Sequence, residues 1–312
     1  MNCLVAIVGP TAVGKSQLAL ELAQAFQGEV INADSRQVYR YMDIATAKPS
    51  HAELALVTHH LINLINPDES FSLAVYQRLA SEVIRDIQMR DKLPILVGGS
   101  GLYVWSVIEG WKIPEVPPDA EFRHARVKEA LEKGSYALFQ ELQKLDPAAA
   151  SRIMPGNLRR IIRALEIYQR TGQPVSEQWR KQAPLYPVLI IGLTMTREQL
   201  YSRIDQRVDE MISKGLVDEV KYLTAKGYGL DSPSMSGIGY KQILLFLQGE
   251  TDLATAVERI KIETHHFARR QYAWFRLGDS RIHWLNEGTD APSEARSLVT
   301  SFMGGLEEEY RL

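Results

Sequence analysis

Gly9-Pro10-Thr11-Ala12-Val13-Gly14-Lys15-Ser16 fits the phosphate-binding pattern G-x-x-x-x-G-K-[ST]. Its surroundings fit as well. Leu4 to Val8 is a short apolar run, long enough for a buried strand, and Ser16 to Phe26 carries Leu18, Leu22 and Phe26 at helical spacing. Strand, glycine loop and helix is the order this motif needs. Gly9 and Gly14 let the backbone turn so that its N–H groups converge on phosphate oxygens, and the helix N-terminus adds positive potential. Lys15 adds a full charge, and Ser16 offers a hydroxyl suited to Mg²⁺. The loop therefore reports a phosphate or diphosphate ligand. It does not by itself report ATP.

The totals set limits around that loop. At 312 residues the chain is long for one compact core, so a main domain with an insertion or second domain is expected. Hydrophobic residues at 45% and charged residues at 24% are those of a soluble globular protein. A net charge of −2 gives no global pull on nucleic acid, so any RNA-binding surface has to be local. The single cysteine, Cys3, excludes an internal disulfide and a cysteine-based zinc site within one chain. No apolar run reaches membrane-spanning length, and the first run has no basic leader. The expectation is a cytoplasmic protein without a membrane partner.

Working outward, Val30-Ile31 predicts a second strand with Asp34 at its carboxyl end, where ligands gather in open α/β sheets. A carboxylate there has three open roles: general base, magnesium contact, or cap on the following turn. His59 and His60 would point to opposite faces of a strand, so they make no bidentate metal site; at least one is expected to be a structural hydrogen-bonding residue. Ser70 to Arg90 reads as a long helix with Leu73, Tyr76, Ala80, Val83 and Ile87 along one face. Leu93 to Val97 predicts another buried strand. It runs into Gly98-Gly99-Ser100-Gly101, a tight turn at which backbone can approach a ligand closely, with Ser100 as its one reactive side chain.

Pro114, Pro117 and Pro118 then break the pattern, and Asp119 to Tyr168 reads as several helices with no strand. Its last long helix starts near Asn157 and carries Leu158, Ile161, Leu165 and Tyr168 as an apolar stripe. Arg152 to Arg170 holds five arginines against one acid, Glu166. This is either a solvated helix face or a surface for a phosphate backbone. Val188 to Leu193 returns the chain to the core as a central parallel strand. Thr196-Arg197-Glu198-Gln199 is a capping box, and the helix it opens turns Leu200, Ile204, Val208 and Met211 inward. Arg207, on another face beside Arg203, is placed to close over phosphates or to sit in a surface ion pair. Ser232 to Gln242 is a Gly- and Ser-containing loop suited to lie along an extended ligand. Leu253 to Phe275 mixes basic and aromatic residues on one helix, and Ile282 to Leu285 is a last strand. The fold class is thus α/β, with a discontinuous core of residues 1–113 and 187–290, a helical insertion domain of residues 114–186, and a polar C-terminal tail of residues 291–312 with one weak helix.

Several motifs, taken in order, resemble one family. They are Asn32-Ala33-Asp34-Ser35-Arg36-Gln37-Val38-Tyr39, Met42-Asp43-Ile44-Ala45-Thr46-Ala47-Lys48, Gly98-Gly99-Ser100-Gly101-Leu102-Tyr103, Arg160-Ile161-Ile162-Arg163-Ala164-Leu165-Glu166, Gly237-Ile238-Gly239-Tyr240-Lys241-Gln242 and Ala268-Arg269-Arg270-Gln271. With the glycine loop they closely resemble the bacterial tRNA dimethylallyltransferases, from the first strand to about Phe275. The resemblance implies a P-loop nucleotide-kinase-like core with a helical insertion. It implies transfer of a dimethylallyl group from dimethylallyl diphosphate to the exocyclic N6 amine of the adenosine on the 3′ side of the tRNA anticodon. The glycine loop would then hold the diphosphate leaving group with Mg²⁺ on Ser16. Asp34 matches the family's base, Ser100 a hydroxyl that orients the reacting centre, and Arg207 an arginine near the diphosphate. Asp34, Ser35, Arg36, Gln37 and Ser100 match residues around the extruded adenosine. Arg123, Leu158, Arg159, Arg160, Ile161 and Ile162 match parts that meet the tRNA anticodon stem-loop. A monomer is expected. Ser16 and Ser100 stand where threonine is commoner, and Ala45 where glycine is usual. Transfer to free adenylate, or a small-molecule P-loop kinase, remains the alternative.

Overall fold

The structure is a computed structural model that describes residues 2–178, 186–286 and 290–309. In chain order the first elements are β1 (Leu4–Val8), α1 (Lys15–Ala25), β2 (Glu29–Asn32), α2 (His51–Leu56), β3 (His59–His60), α3 (Leu73–Met89), β4 (Pro94–Val97) and α4 (Gly101–Ile108). Five helices follow: α5 (Ala120–Lys133), α6 (Ser135–Leu145), α7 (Pro147–Ala150), α8 (Leu158–Thr171) and α9 (Val175–Gln178). The chain then continues through β5 (Val188–Thr194), α10 (Arg197–Ser213), α11 (Leu216–Ala225), α12 (Tyr240–Leu247), α13 (Leu253–Trp274), β6 (Ile282–Asn286) and α14 (Ala291–Glu309). It divides into two compact units, Met1–Ile108 with Pro184–Leu312, and Glu109–Ala183.

In the first unit the strands line up as β3-β2-β4-β1-β5-β6, every neighbouring pair parallel. The apolar runs explain this: β1 and β4 are buried at every residue, as strands covered on both faces must be. β1 lies between β4 and β5. The loops after β1, β2 and β4 therefore meet at adjacent carboxyl edges of the sheet, where the strand order reverses. Hydrogen bonds lace these ends together. Ala33 N donates to Val97 O at 2.7 Å, Gly98 N to Ile7 O at 3.2 Å, and Ser100 N to Ala33 O at 3.2 Å. A side chain at Gly98 would put its Cβ 2.2 Å from Ala33 O, so only glycine lets these strand ends close up.

Side chains cap several helices, two of them as the sequence signalled. Ser72 accepts from Val75 N, Asn157 from Arg160 N, and Thr196 with Gln199 forms the full capping box. In α3 the buried face is Tyr76, Ala80, Ile84 and Ile87, so Ile84 takes the place expected for Val83. His59 Nδ1 bonds Val57 O at 2.8 Å, and His60 Nε2 bonds the buried Glu29 carboxylate at 2.7 Å, both structural roles. Glu29 also receives Arg90 and Lys92; the Arg90 bonds above all hold its carboxyl well below the usual carboxylate range.

The expected polar tail is corrected. Residues 291–309 are α14, which buries Ala291, Ala295 and Val299 in the same core cluster as Leu18, Leu22 and Ala23 of α1. The weak helix read in this stretch is thus a core helix, and its buried stripe was slight because it is made mainly of small residues every fourth position. Residues 310–312 lie outside the described residues.

The second unit has its own core. Ile161, Ile162 and Leu165 of α8 join Leu138, Phe139 and Leu142 of α6 and Ala130 of α5. The side chains of Ile161 and Ile162, 0% and 4% exposed, are spent on this core, so they do not present the surface that the resemblance implied for tRNA. Leu158 is half-buried against the same core. The local +4 is also less free than it reads. Glu166, 1% exposed, accepts from Arg123 Nε at 2.8 Å, from the Asp119 amide at 2.7 Å and from Arg163, while Arg170 pairs with Asp119. Burial alone would raise the Glu166 carboxyl; the Arg123 bonds, the Asp119 amide and Arg163 outweigh it and hold it below its ordinary value.

Glu166→Ala should therefore destabilise this unit by about 1.5–3 kcal/mol, the range for hydrogen bonds to a charged group. A group with a depressed folded pKa stabilises above its unfolded pKa, so the gap between wild type and variant should narrow as pH falls below about 4. Hydrogen exchange across residues 120–171, measured against pH, reads both effects. A gap independent of pH would mean that the stabilisation is not ionic.

Candidate active site

The glycine loop leaves β1 through Gly9 at φ +141°, passes Ala12 at φ +65°, and enters α1 through Gly14 at φ +98°. Three left-handed turns in six residues fold the backbone back on itself. The entry is tight, since a Cβ on Gly9 would lie 2.4 Å from Leu193 O on β5. No side chain caps α1, so the loop itself and whatever binds it must meet the helix's first-turn N–H groups. The Lys15 ammonium donates back across the loop to Pro10 O.

The loop opens onto a cavity of about 260 Å³. Its lining brings together residues 11–17, Asp34 and Gln37 from the turn after β2, Gly98 and Gly99, Arg207 from α10, and Gln271 from α13. Gly9 and Pro10 shape the loop from behind and are not part of the lining. Arg207 Nη1 lies 3.3 Å from Thr11 Oγ1. Burial lowers the Lys15 ammonium to about 7, opposed by the charge of Asp34 and reinforced by that of Arg207. Burial also pulls Arg207 below its ordinary value, with Asp34 and Glu210 opposing. Two desolvated cations around one cavity favour an anionic occupant.

Asn32 builds the Asp34 turn. Its Oδ1 accepts Asp34 N at 2.9 Å, and its Nδ2 donates to Asp34 O and Leu61 O, each at 3.0 Å. Asp34 Oδ1 accepts Arg36 N at 2.8 Å, so the cap role is realised on one carboxylate oxygen. Ser100 Oγ accepts Ser35 N at 3.0 Å, which ties the turn after β4 to the turn carrying Asp34. Ser100 itself is outside the cavity lining. Gln37 Nε2 donates to Thr46 O and Ala47 O at 3.1 Å, and Arg36 donates to Pro233 O and Ser234 O at 3.2 and 3.3 Å. Arg36 thus latches the 233–236 segment that the sequence suggested would lie along a ligand. The Ala45 methyl fits because residue 239 is glycine; a Cβ there would lie 2.8 Å from it.

Glu219 escapes the sequence reading, and Gln271 stands in it only as the end of a motif, with no role. Glu219 accepts from the amides of Asp43 and Ile44 and from Tyr240 OH, and so holds the loop of residues 42–48. Gln271 accepts from Thr11 N at 2.8 Å and donates to Gly99 O at 3.0 Å. The available signal for Gln271 was a polar residue in line with Ile260, Ala268 and Phe275 on the buried stripe of its helix. In the second unit, Arg159 and Arg160 are exposed, whereas Arg123 and Arg163 serve Glu166.

Among the described residues no group of three or more His, Cys, Asp or Glu is arranged to hold a metal, and no helix is long and apolar enough to cross a membrane. Mg²⁺ needs no such cluster, since it is commonly bound through one or two protein oxygens and substrate phosphates. The Ser16 hydroxyl, on the cavity wall near the start of α1, suits that mode.

The model of the IPP transferase family matches residues 37–278. The match begins beyond the glycine loop, but longer alignments include it. A tRNA dimethylallyltransferase of Roseiflexus castenholzii is 54% identical over 296 residues, 95% of this chain and 97% of that protein. The crystal structure of the full-length tRNA isopentenylpyrophosphate transferase from Bacillus halodurans is 42% identical with a TM-score of 0.72, covering 100% of this chain and 99% of that one. A eukaryotic dimethylallyltransferase acting on tRNA superposes with a TM-score of 0.83 at 28% identity, over 98% of this chain and 80% of its own.

A lysine held near 7 must gain its proton when an anion enters. Calorimetry with inorganic diphosphate at pH 8, in buffers of different ionisation enthalpy, should show uptake of about one proton. Affinity should weaken as pH rises above about 7. Lys15→Arg, charged at every accessible pH, should lose that uptake. Equal uptake in both proteins would place the titration elsewhere.

Proposed function

Because the chain belongs to the IPP transferase family, we propose that it transfers the dimethylallyl group of dimethylallyl diphosphate to the N6 amine of the adenosine 3′-adjacent to a tRNA anticodon, releasing diphosphate. The observation that carries this reading is the single cavity shared by the glycine loop, Lys15, Arg207 and Asp34. A carboxylate and two basic groups lining one space suit a reaction that needs both a base and stabilisation of a leaving anion.

The amine nitrogen attacks the allylic carbon as its bond to the diphosphate oxygen breaks. The bonding electrons leave with diphosphate, and the amine loses one proton. Loop amides, Lys15 and Arg207 stabilise the charge growing on the leaving oxygen. Asp34 takes the proton; Oδ2 is the suited atom, because Oδ1 accepts Arg36 N. Ser100 steadies this turn through Ser35. Mg²⁺ held by the Ser16 hydroxyl and diphosphate oxygens would neutralise charge on the leaving group. Gln37 and Ser35 border the place of the entering adenosine. Arg159 and Arg160 are the exposed cations of α8 and suit phosphate contacts with the anticodon stem-loop. The reading has the protein work as a monomer in the cytoplasm, where its RNA substrate is.

Transfer of label from dimethylallyl diphosphate to unmodified tRNA, unaffected by excess ATP, is the test. Turnover of free AMP with inert tRNA would make the protein an adenylate prenyltransferase, and phosphate transfer from ATP would make it a kinase. Asp34→Ala should lower kcat by about a hundred- to ten-thousandfold while tRNA affinity is kept. Near-normal turnover would remove Asp34 as base. Replacing Arg159 and Arg160 with alanine should lessen the salt slope of tRNA binding by roughly 1.5, under one unit per lost phosphate contact. An unchanged slope would assign both to the solvated surface.

A further inference from the structure

We propose that Gln271 is a positioning residue that sets the separation between the diphosphate and the base, an inference that rests on the prenyl-transfer reading above. Its amide lies between two loops with different tasks. Oε1 accepts the N–H of Thr11 in the diphosphate loop at 2.8 Å, and Nε2 donates to Gly99 O at 3.0 Å. From Gly99 the connection runs on. Ser100 N donates to Ala33 O, and Ser100 Oγ accepts Ser35 N, one residue from Asp34. One side-chain amide therefore links the loop that would hold the leaving group to the turn that carries the base.

The chemistry of the link is selective. It needs one acceptor and one donor on a short rigid group, without charge beside an anion. Of the common side chains, Gln and Asn offer both on one planar neutral group. The residue is 3% exposed and is flanked along its helix by buried Ala268 and Phe275, so its backbone is anchored. Tyr272 fastens the same turn of α13 to the end of β5, through a 2.9 Å hydrogen bond with Thr194. Residue 99 is shaped to admit the amide: a Cβ on Gly99 would lie 2.0 Å from Gln271 Nε2. Helix, loop and glycine are fitted to one another around two hydrogen bonds. Gln271 also lines the cavity, so a shift of its amide moves the cavity wall.

The test uses the full chain carrying Gln271→Leu, which fills the space and makes neither bond, and Gln271→Glu. The wild type first establishes diphosphate binding and transfer to tRNA; failure there overturns the prenyl-transfer reading itself. For Gln271→Leu, Kd for inorganic diphosphate should rise roughly tenfold, the worth of one net hydrogen bond. Its kcat at saturating substrates should fall about a hundredfold, the cost of an ångström of misplacement. Its tRNA affinity should be kept. Gln271→Glu can accept from Thr11 but donates to Gly99 only when protonated, so its kcat relative to wild type should recover as pH falls. Should Gln271→Leu not fold, Gly99→Ala, which pushes the amide aside, should show the same paired loss. Wild-type Kd and kcat in the folded leucine variant would overturn the proposal. So would a lowered Tm with Kd and kcat per folded molecule unchanged, since that is how a purely structural residue behaves.

Discussion

Lys15 and Arg207 are basic groups around one cavity whose charged forms burial disfavours, Lys15 down to about 7, and the carboxylate of Asp34 is the acidic group whose field opposes that effect on both. Burial is the larger cost for the Lys15 ammonium, and the charge of Arg207 adds to it. The fold meets that cost with geometry. β1 delivers the loop, β2 delivers Asp34, and α10 delivers Arg207, each from an element whose own core is apolar. The site favours an anion because burial disfavours the charged forms of its two basic groups and a bound anion would offset that. Diphosphate relieves that cost when it binds, and its departure during reaction is stabilised by the same groups.

This constraint explains why the strand ends are bound so closely. Charges held at a few ångströms act strongly only if their separation is fixed. Ala33, Gly98 and Ser100 exchange backbone hydrogen bonds across the ends of β2 and β4, and Asn32 spends its whole side chain on the turn at Asp34 and the carbonyl of Leu61. Glu219 does the same for residues 43 and 44 from α11. Much of the polar chemistry near the cavity is therefore committed to holding backbone. Few groups are left for substrates, and those few are well placed.

What was legible in the sequence follows from range. Strands β1, β2, β4, β5 and β6, the Asn157 cap and the Thr196 capping box are local, and spacing alone reveals them. The glycine loop is local as well. Asp34 was legible as a candidate because strand ends collect ligands, but its bond to the Arg36 amide was only one of three open roles. The errors arise where a distant partner decides. Arg163 reads as free charge until Glu166 is seen to take it, together with Arg123 from a different helix. Ile161 and Ile162 sit in a motif that resembles an RNA-contacting one, yet their side chains fill the core. Gln271 lies 260 positions from Thr11, and nothing within its own helix names that partner.

The turn at Gly98–Gly101 shows the difference between detecting a close approach and identifying what approaches. Glycines in series at a strand end predict that something comes too near for a side chain, and that much is physically sound. A ligand was the natural occupant to expect. Instead each missing Cβ answers to the protein: Ala33 O at Gly98, the Gln271 amide at Gly99, and the Trp274 ring at Gly101, with separations of 2.2, 2.0 and 2.2 Å. The turn is a junction where β2 and α13 converge on β4. Gly98 and Gly99 line the cavity as well, and the turn bears on chemistry further through Ser100 on one side and Gln271 on the other. A glycine-rich turn beside a phosphate loop need not touch the substrate to matter, because it can fix the distance between the groups that do.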